Sequence, residues 1–370
     1  MSAAPIAIRH CPPAATRPLI DGSPNRRDGL RAGRACRTAS GPSLGGMLAA
    51  WYERPGAAAE VLEVGEMADP QPAPAEVRVR ISVSGVNPGD TKKRGDWVGG
   101  GMPYPRVVPH SDGTGVIDAV GDGVDVSRIG QRVWIYGAQS YRAFGTAAQL
   151  TVVPAGQAVP LPDRVSDEVG ACLGIPGITA HRAVFSDGPV TDATVLVHGV
   201  LGGVGSLAAQ LAAWNGATVI GTVRHTSDLS QVGDAVARCV ALDVEDPAAA
   251  IRRLAPDGVD RIVEVSFSDN ADIDAAVAAP DAVIAAYATR DPRPTFEFWP
   301  MLFGNLTIRL MGSDDFPAEA KQQAARDLTE AAEQGALRIP IDDPLPLDRI
   351  AEAHDRVDGT RARVLLTMPR

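Results

Sequence analysis

Apolar and polar residues alternate in short runs over the first part of the chain, from Met47 to about Pro162. The alternation is longest in EVRVRISVSGV, Glu76–Val86, and a period of two residues is typical of a strand with one buried face. Similar short strands, separated by Gly and Pro, are predicted in Gly113–Val124, Gly130–Gly137 and Ala147–Pro162. We therefore expect this part of the chain to form a β domain with little helix.

The pattern changes after about Ser166, where helical segments alternate with short, almost wholly apolar runs. Such runs between helices are typical of a parallel sheet that is buried on both faces, so the fold class is α/β. The predicted strands are Thr194–Gly199, Ala217–Val223, Arg238–Leu242, Asp260–Val265, Asp281–Tyr287 and Leu306–Gly312, with a last one in Arg361–Pro369. The predicted helices are Val204–Trp214, Thr226–Val236 and Ala318–Leu337, and helical segments broken at Pro176 are predicted within Asp167–Phe185.

Length and composition limit the class of protein. A chain of 370 residues suggests two domains, and 45% hydrophobic residues suffice for a sizeable core. No run approaches the roughly 18 apolar residues of a membrane span, and a net charge of −10 argues against nucleic-acid binding. The four cysteines, Cys11, Cys36, Cys172 and Cys239, show neither CxxC nor metal-ligand spacing. We expect no disulfide scaffold, no metal site and a cytoplasmic location.

Residues 1–46 differ in composition from the rest of the chain. They hold seven arginines, no lysine and only two acids, Asp21 and Asp28, and they are rich in Pro, Gly, Ala and Ser. An arginine-rich, acid-poor opening is compatible with a transit-type presequence. A disordered tail, or sequence upstream of a true start at Met47, is the alternative, and we predict a disordered N-terminal extension over 1–46.

A glycine-rich loop joins a predicted strand to a predicted helix. Gly199, Gly202 and Gly205 form G-x-x-G-x-x-G, with Gly203 and Val204 between the last two. Such a turn lets the backbone approach a pyrophosphate, and the N-terminus of the helix supplies N–H donors. The strand–loop–helix context favours a dinucleotide site, although a tight turn without a ligand has the same pattern.

The second strand of this predicted unit ends in IGTVRH, without the acidic residue that usually contacts the ribose of NAD. Thr222, Arg224 and His225 stand there instead. Because an arginine attracts a 2′-phosphate that a carboxylate would repel, the sequence favours NADPH over NADH. An ordinary surface arginine is the alternative for Arg224.

Four motifs together make the chain resemble the zinc-free quinone oxidoreductase (zeta-crystallin-like) branch of the medium-chain dehydrogenase/reductase superfamily. They are GVNPGDTKKRG (Gly85–Gly95), PHSDGTGVIDAVGDGV (Pro109–Val124), GIPGITAHRA (Gly174–Ala183) and VHGVLGGVGSLAAQLA (Val197–Ala212). The resemblance implies a GroES-like β domain and an inserted Rossmann domain with a doubly wound parallel sheet. The implied boundaries are 47–168 and 312–370 for the GroES-like catalytic domain and 169–311 for the Rossmann NADPH-binding domain.

The resemblance also implies hydride transfer without a metal ion. Zinc-containing relatives carry a cysteine in the loop that here holds Asn87 and Asp90, and a His-Glu pair where this chain has His110, Ser111 and Asp112. Thiolate and imidazole are the ligands that Zn²⁺ prefers, so we expect no metal site here. Quinones and activated alkenes suit such a site, because their acceptor atoms are already electrophilic.

The resemblance assigns catalytic roles to three residues. Asn87 is expected to bond the substrate carbonyl or the cofactor, and Asp90 to order the loop. Tyr136 is expected to line the pocket with its phenol or to pack at its rim. Lys92 stands where many relatives have a tyrosine. It is expected either to contact a phosphate or an oxyanion or to be an ordinary surface lysine. Thr179 matches a position that meets the nicotinamide, or it caps a helix.

Further cofactor contacts are expected at the ends of the parallel strands and near the C-terminus. Ser266 and Tyr287 follow two of the predicted strands, where dinucleotides bind in this topology. Arg363 resembles a basic position that reaches the cofactor phosphates. His198 is expected to pack or to order the loop rather than to act as an acid or base, and His110 is the stronger of the two histidines as a candidate for acid–base chemistry.

The leading interpretation is an NADPH-dependent quinone oxidoreductase. A reductase of activated alkenes (an enone, enal or unsaturated acid) and a zeta-crystallin-like dinucleotide-binding protein with little turnover are the alternatives. Expected partners are a small quinone or alkene and a second copy of the chain, paired in a homodimer through Leu306–Phe316; neither a nucleic acid nor a membrane is expected.

Overall fold

The computed structural model describes residues 46–369, so the predicted extension lies outside the described residues except for Gly46. The strands are β1 Met47–Trp51, β2 Glu63–Met67, β3 Glu76–Val86, β4 Asp112–Val120, β5 Arg132–Ile135, β6 Leu150–Pro154, β7 Ala158–Pro160, β8 Thr194–Val197, β9 Thr218–Val223, β10 Arg238–Ala241, β11 Val259–Glu264, β12 Ala278–Ala286, β13 Thr307–Leu310, β14 Leu345–Pro346 and β15 Val364–Thr367. The helices are α1 Ala58–Val61, α2 Pro88–Arg94, α3 Asp167–Gly170, α4 Ile175–Phe185, α5 Gly203–Trp214, α6 Pro247–Leu254, α7 Phe267–Val277, α8 Phe298–Phe303, α9 Ala318–Glu333 and α10 Ile350–Arg356.

The first sheet has seven strands in the order β14-β15-β3-β4-β5-β7, with β6 also paired to β3. Its centre is β3, which has the predicted bounds and whose inward side chains Val77, Val79 and Ile81 are buried. The C-terminal strand β15 pairs antiparallel with β3, so the end of the chain returns to this sheet. A separate hairpin of β1 and β2 precedes it.

The second sheet has six parallel strands in the order β10-β9-β8-β11-β12-β13. This order, with crossover helices between the strands, is that of a doubly wound dinucleotide-binding sheet, and it confirms the predicted α/β class. One core cluster runs from Trp134 in β5 to Leu207 in α5 and Val263 in β11. The indole N–H of Trp134 also donates to Thr329 Oγ1 of α9 at 3.0 Å, so the two sheets share one packed interior.

Two local predictions were wrong. The segment Thr226–Val236 forms only a short 3₁₀ turn, Thr226–Gln231, because its Ser and Asp residues favour turns and Gly233 follows directly. Pro176 does not break a helix; it lies in the first turn of α4, where its missing N–H costs nothing. The break falls between α3 and α4.

The strands of the first sheet lie within 76–160 and 345–367, and those of the second within 194–310. The domain boundaries at 168/169 and 311/312 stay predictions. Among residues 46–369, no helix is both long and apolar enough to cross a membrane. Cys172 and Cys239 are free thiols.

Candidate active site

Strand pairing brings three polar residues to the same end of the first sheet. Val86 of β3 lies opposite Val364 of β15, so Asn87 and Arg363 occupy neighbouring positions one residue beyond this pair. On the other side of β3, Gly85 lies opposite Asp112 of β4. The antiparallel register thus places residues that are far apart in the chain around one point.

The side chain of Asn87 is held at both ends. Its Nδ2 donates to Asp112 Oδ2 at 2.7 Å, and its Oδ1 accepts from Arg363 Nη2 at 2.8 Å. The other oxygen of Asp112 accepts the N–H of Ile175 at 2.8 Å, at the start of α4. Gly174 permits this approach, because a Cβ there would lie 2.1 Å from Asp112 Oδ1. The amide of Asn87 therefore has a fixed orientation.

Asp90 orders the loop through its backbone, as the resemblance implies. Its buried carboxylate accepts the N–H of Asn87 at 2.8 Å, at the start of α2. Burial raises the pKa of Asp90 to about 7, with the Asp112 charge adding to the shift and the Lys93 and Arg363 charges opposing it. Burial likewise raises the pKa of Asp112 to about 6. The site thus holds two carboxyl groups that ionise near neutral pH.

The glycine loop has the geometry that its sequence predicts. Gly199 has φ of +68°, a conformation that side chains disfavour. A Cβ on Gly205 would lie 2.3 Å from the Gly199 carbonyl oxygen, so the helix packs directly on the turn. Gly202 caps α5, and Gly203 and Val204 form its first turn, whose N–H groups have no intrahelical partners.

Arg363 connects the glycine loop to the first sheet. A Cβ on Gly203 would lie 3.8 Å from both Cδ and Nη1 of Arg363, so the side chain runs along the N-terminus of α5. Its Nε is buried and has no hydrogen-bond partner within residues 46–369. A guanidinium cation beside the unpaired N–H groups of a helix N-terminus is chemistry that suits a diphosphate. The residues present therefore fit a dinucleotide.

Three candidate residues lie at or just beyond the end of β9. Thr222 is fully buried, and its Oγ1 lies 2.9 Å from His198 Nδ1 and accepts the N–H of Gly199. Its side chain therefore supports the glycine loop, and its contact with a cofactor stays a prediction. Arg224 and His225 are exposed, and His225 Nδ1 lies 3.5 Å from Asp243 Oδ2.

Three other candidates make contacts within the protein. Tyr136 is buried in the core and its hydroxyl donates to the Gly156 carbonyl at 3.2 Å, so it offers no free phenol. Lys92 is exposed, with Nζ 5.7 Å from the ring centre of Trp97. Thr179 donates to the Ile175 carbonyl one turn back in α4.

Ser266 and Tyr287 lie at the ends of neighbouring parallel strands, as predicted. The N–H of Ser266 bonds the Glu264 carboxylate, and its hydroxyl donates to Asp269 Oδ2 at 2.7 Å. Tyr287 is half-buried, and its N–H donates to the Glu264 carbonyl at 3.1 Å. Both therefore flank Glu264.

His110 belongs to a buried hydrogen-bonded chain rather than to an open site. Its Nδ1 lies 2.9 Å from Ser84 Oγ, and its Nε2 lies 3.0 Å from His354 Nε2. The Nδ1 of His354 accepts from Arg94 Nε at 3.3 Å. Burial and the neighbouring His354 lower the pKa of His110 well below its usual range, so it stays neutral. Both of its nitrogens are engaged, which leaves none for acid–base chemistry.

Two groups of polar residues at or near the site were not predicted from the sequence. Asp112 was noted only within its motif, yet it is the partner of Asn87; its place opposite Gly85 at the end of a paired strand was the available signal. The second group is a buried cluster of His198, Glu264 and Asp274. An acidic residue at the end of the apolar strand DRIVEV marked Glu264, but nothing local linked it to His198.

Comparisons with known proteins agree with this arrangement. The model of the alcohol dehydrogenase GroES-like domain matches residues 73–163. Quinone oxidoreductase of Rattus norvegicus is 30% identical over 325 residues, which covers 84% of this chain and 94% of the relative. The mycobacterial protein Rv1454c, solved in complex with NADPH, is 26% identical with a TM-score of 0.72 and covers 87% of this chain and 99% of that one. An alcohol dehydrogenase superfamily protein from Novosphingobium aromaticivorans is 26% identical with a TM-score of 0.78, covering 87% and 100%.

A GroES-like β domain beside a doubly wound sheet, with a glycine loop facing the β domain, is the architecture of a medium-chain dehydrogenase/reductase, and the protein is an oxidoreductase. Within that superfamily, the chain belongs to the quinone oxidoreductase branch.

Proposed function

We propose that the protein reduces quinones with NADPH, by hydride transfer that uses no catalytic metal ion. The observation that carries the proposal is the position of Arg363. Its guanidinium bonds Asn87 and lies against Gly203, so one cation joins the loop of the first sheet to the N-terminus of α5. A dinucleotide bound there would meet both sheets. The name of the rat relative and the NADPH in the mycobacterial structure support this choice of acceptor and cofactor.

The residues of the site have separable tasks in this proposal. When bound, the nicotinamide supplies the hydride. Arg363 and the free N–H groups of α5 offset the charge of the diphosphate. Asn87, fixed by Arg363 and Asp112, presents an oriented amide at the reacting end, and Asp90 keeps the backbone of that loop in place. Because a quinone is already electrophilic, hydrogen-bond donors suffice to stabilise the charge that develops on its oxygen.

Steady-state oxidation of NADPH, measured with a panel of quinones and a panel of enones, tests the proposal. We expect turnover with quinones and a higher kcat/KM for them than for enones. A preference for enones would favour a reductase of activated alkenes. Nucleotide binding with almost no turnover on either panel would favour a zeta-crystallin-like dinucleotide-binding protein with little turnover.

We also propose that the protein forms homodimers and acts in the cytoplasm. The edge strand β13 and the neighbouring helix α8 expose large apolar side chains, which supports pairing with a second copy. The absence of CxxC pairs from the sequence and the free thiols of Cys172 and Cys239 are compatible with a reducing compartment.

A further inference from the structure

A cluster of ionisable side chains lies directly beneath the glycine loop, and the proposed hydride transfer does not use it. His198 follows β8 and precedes Gly199, Glu264 ends β11, and Asp274 lies on α7; all three are fully buried. The Nε2 of His198 lies 3.0 Å from Asp274 Oδ1 and 3.6 Å from Glu264 Oε2. Two carboxylates thus face one imidazole without solvent.

The surroundings of this cluster favour protons rather than a cation. Both oxygens of Glu264 accept from Asn270 Nδ2 at 3.1 Å, and the N–H of Ser266 also bonds this carboxylate. A cation would have to displace these donors. Asp274 Oδ2 is buried and has no hydrogen-bond partner within the described residues, so no donor there offsets the loss of solvent. Burying several unpaired charges is costly, and the cluster therefore retains protons at neutral pH.

The ionisation of the cluster falls near neutral pH. Burial raises the pKa of Glu264 to about 7. Burial alone would lower the pKa of His198, but its hydrogen bond to Asp274 and the charges of Glu264 and Asp274 raise it overall. Tyr287 faces Glu264 from the end of β12, and burial raises the pKa of its phenol, so it stays neutral. The helix packed above, α5, has the sequence GVGSLAAQLAAW and contributes no ionisable side chain.

Thr222 links this cluster to the turn that would contact the diphosphate. Its Oγ1 lies 2.9 Å from His198 Nδ1 and accepts the N–H of Gly199 at 3.3 Å. Its carbonyl accepts the N–H of Val200 at 3.1 Å. Changes in the protonation of His198 therefore act on the first residues of the glycine loop through one side chain.

We propose that His198, Glu264 and Asp274 are positioning residues that couple the proton content of this cluster to the affinity of the glycine loop for a pyridine dinucleotide. The inference rests on the proposed function. Loss of a proton adds a negative charge beneath the site of an anionic diphosphate and changes the hydrogen bond that supports Gly199. Affinity therefore falls as the pH rises, and binding of the dinucleotide takes up protons.

Titrations of the purified protein with NADH and NADPH, followed by nucleotide fluorescence, test this inference. NADH serves as the main probe because a phosphate monoester such as the 2′-phosphate of NADPH has its own pKa of about 6. For the wild-type protein, the Kd of NADH should rise about fivefold between about pH 6 and about pH 8.5. Calorimetry near neutral pH in two buffers of different ionisation enthalpy should show proton uptake.

Variants of the cluster should lose this dependence. Glu264→Gln keeps the shape of the side chain and fixes it as neutral, so its Kd should stay low and flat with pH and its binding should take up no protons. Asp274→Asn, the second variant, should also flatten the profile. Asp327→Asn is the matched control, because Asp327 forms a partly buried His–Asp contact, with His181 at 2.7 Å, far from the loop in sequence. It should keep the wild-type profile.

Three results would overturn the inference. They are a wild-type Kd that does not change with pH, a Glu264→Gln profile identical to that of the wild type, and one equivalent of tightly bound metal ion that Glu264→Gln loses. The calorimetry is done on the wild-type protein, so it tests the inference even if the variants do not fold. Failure to bind either nucleotide at any pH has a different meaning, because it refutes the proposed function itself.

Discussion

At the scale of single residues, Arg363 has the largest expected effect. It is buried, it orients Asn87, and it lies along the N-terminus of α5. Replacing Arg363 by Met keeps the bulk and removes the charge. Because charged hydrogen bonds contribute about 1.5–3 kcal/mol, the KM for NADPH should rise by about tenfold or more.

The matched control for this variant is Arg349→Met, which removes an exposed arginine that pairs with Glu352. Its KM should remain at the wild-type value, as measured in the same steady-state assay. A normal KM for Arg363→Met would show that the guanidinium does not meet the diphosphate.

We predict that Arg224 sets the preference for NADPH over NADH. It is exposed just beyond β9, where no acidic residue ends the strand. Arg224→Ala should reduce the ratio of kcat/KM for NADPH over NADH by about tenfold, since a charge-assisted contact to the 2′-phosphate is lost. Arg238→Ala, at another exposed arginine, should leave the ratio unchanged. An unchanged ratio in Arg224→Ala would mean that other groups recognise the phosphate.

Asp90 makes the stability of the protein depend on pH. Burial raises its pKa from 3.8 to about 7, so the folded chain binds more protons than the unfolded chain between these values. The free energy of unfolding therefore falls as the pH rises from about 4 to about 7 and changes little from this group above that range. Asp90→Asn still accepts the N–H of Asn87 and carries no charge.

This substitution should raise the free energy of unfolding at about pH 8 by about 2–4 kcal/mol and by only about 1 kcal/mol at about pH 4.5. Denaturant unfolding at both pH values measures the difference. Asp122→Asn, at an exposed position, should change neither value. Equal effects of Asp90→Asn at both pH values would mean that the carboxyl group is not protonated in the folded protein.

At the scale of elements, the turn of the glycine loop requires glycine at Gly205, whereas another glycine of the same domain, Gly233, is not required by packing. A Cβ on Gly205 would meet the Gly199 carbonyl oxygen at 2.3 Å, whereas a Cβ on Gly233 would meet nothing within 4 Å. Gly205→Ala should therefore destabilise the fold by at least about 2 kcal/mol and abolish nucleotide binding, because the backbone must shift. Gly233→Ala should do neither. Thermal unfolding and nucleotide fluorescence test both variants, and a stable Gly205→Ala that binds NADPH would contradict the loop geometry.

Elements with a strong local pattern were predictable, and those fixed by neighbours were not. The strict alternation in Glu76–Val86 predicted β3, and the alanine-rich run after the glycines predicted α5 to within one residue. The segment Thr226–Val236 has helical spacing of its few apolar residues, but its polar residues bond elsewhere: the N–H and hydroxyl of Thr226 both donate to Asp243. A tertiary contact of this kind leaves no local signal.

At the scale of the whole molecule, the site exists only where distant segments meet. Asn87 was predicted from its motif and Arg363 from its resemblance to a basic position near the C-terminus, but their contact depends on the pairing of β3 with β15 across most of the chain. The cluster under the glycine loop depends in the same way on β8, β11 and α7. Which residues take part was partly predictable from the sequence; their bonding to one another was not, because register and packing set it.

The oligomeric state is also a property of the whole molecule. The parallel sheet ends at β13, and Leu310 of this edge strand is exposed, as are Trp299 and Phe303 of the adjacent α8. An unpaired edge with large apolar neighbours favours association with a second copy around a twofold axis. Light scattering after size exclusion should therefore give the mass of a dimer for the wild type and of a monomer for the double variant Leu310→Lys/Trp299→Lys. Ile129→Lys, at an exposed apolar position on the first sheet's side, should remain dimeric. A wild-type protein that is monomeric at micromolar concentration would contradict the predicted homodimer.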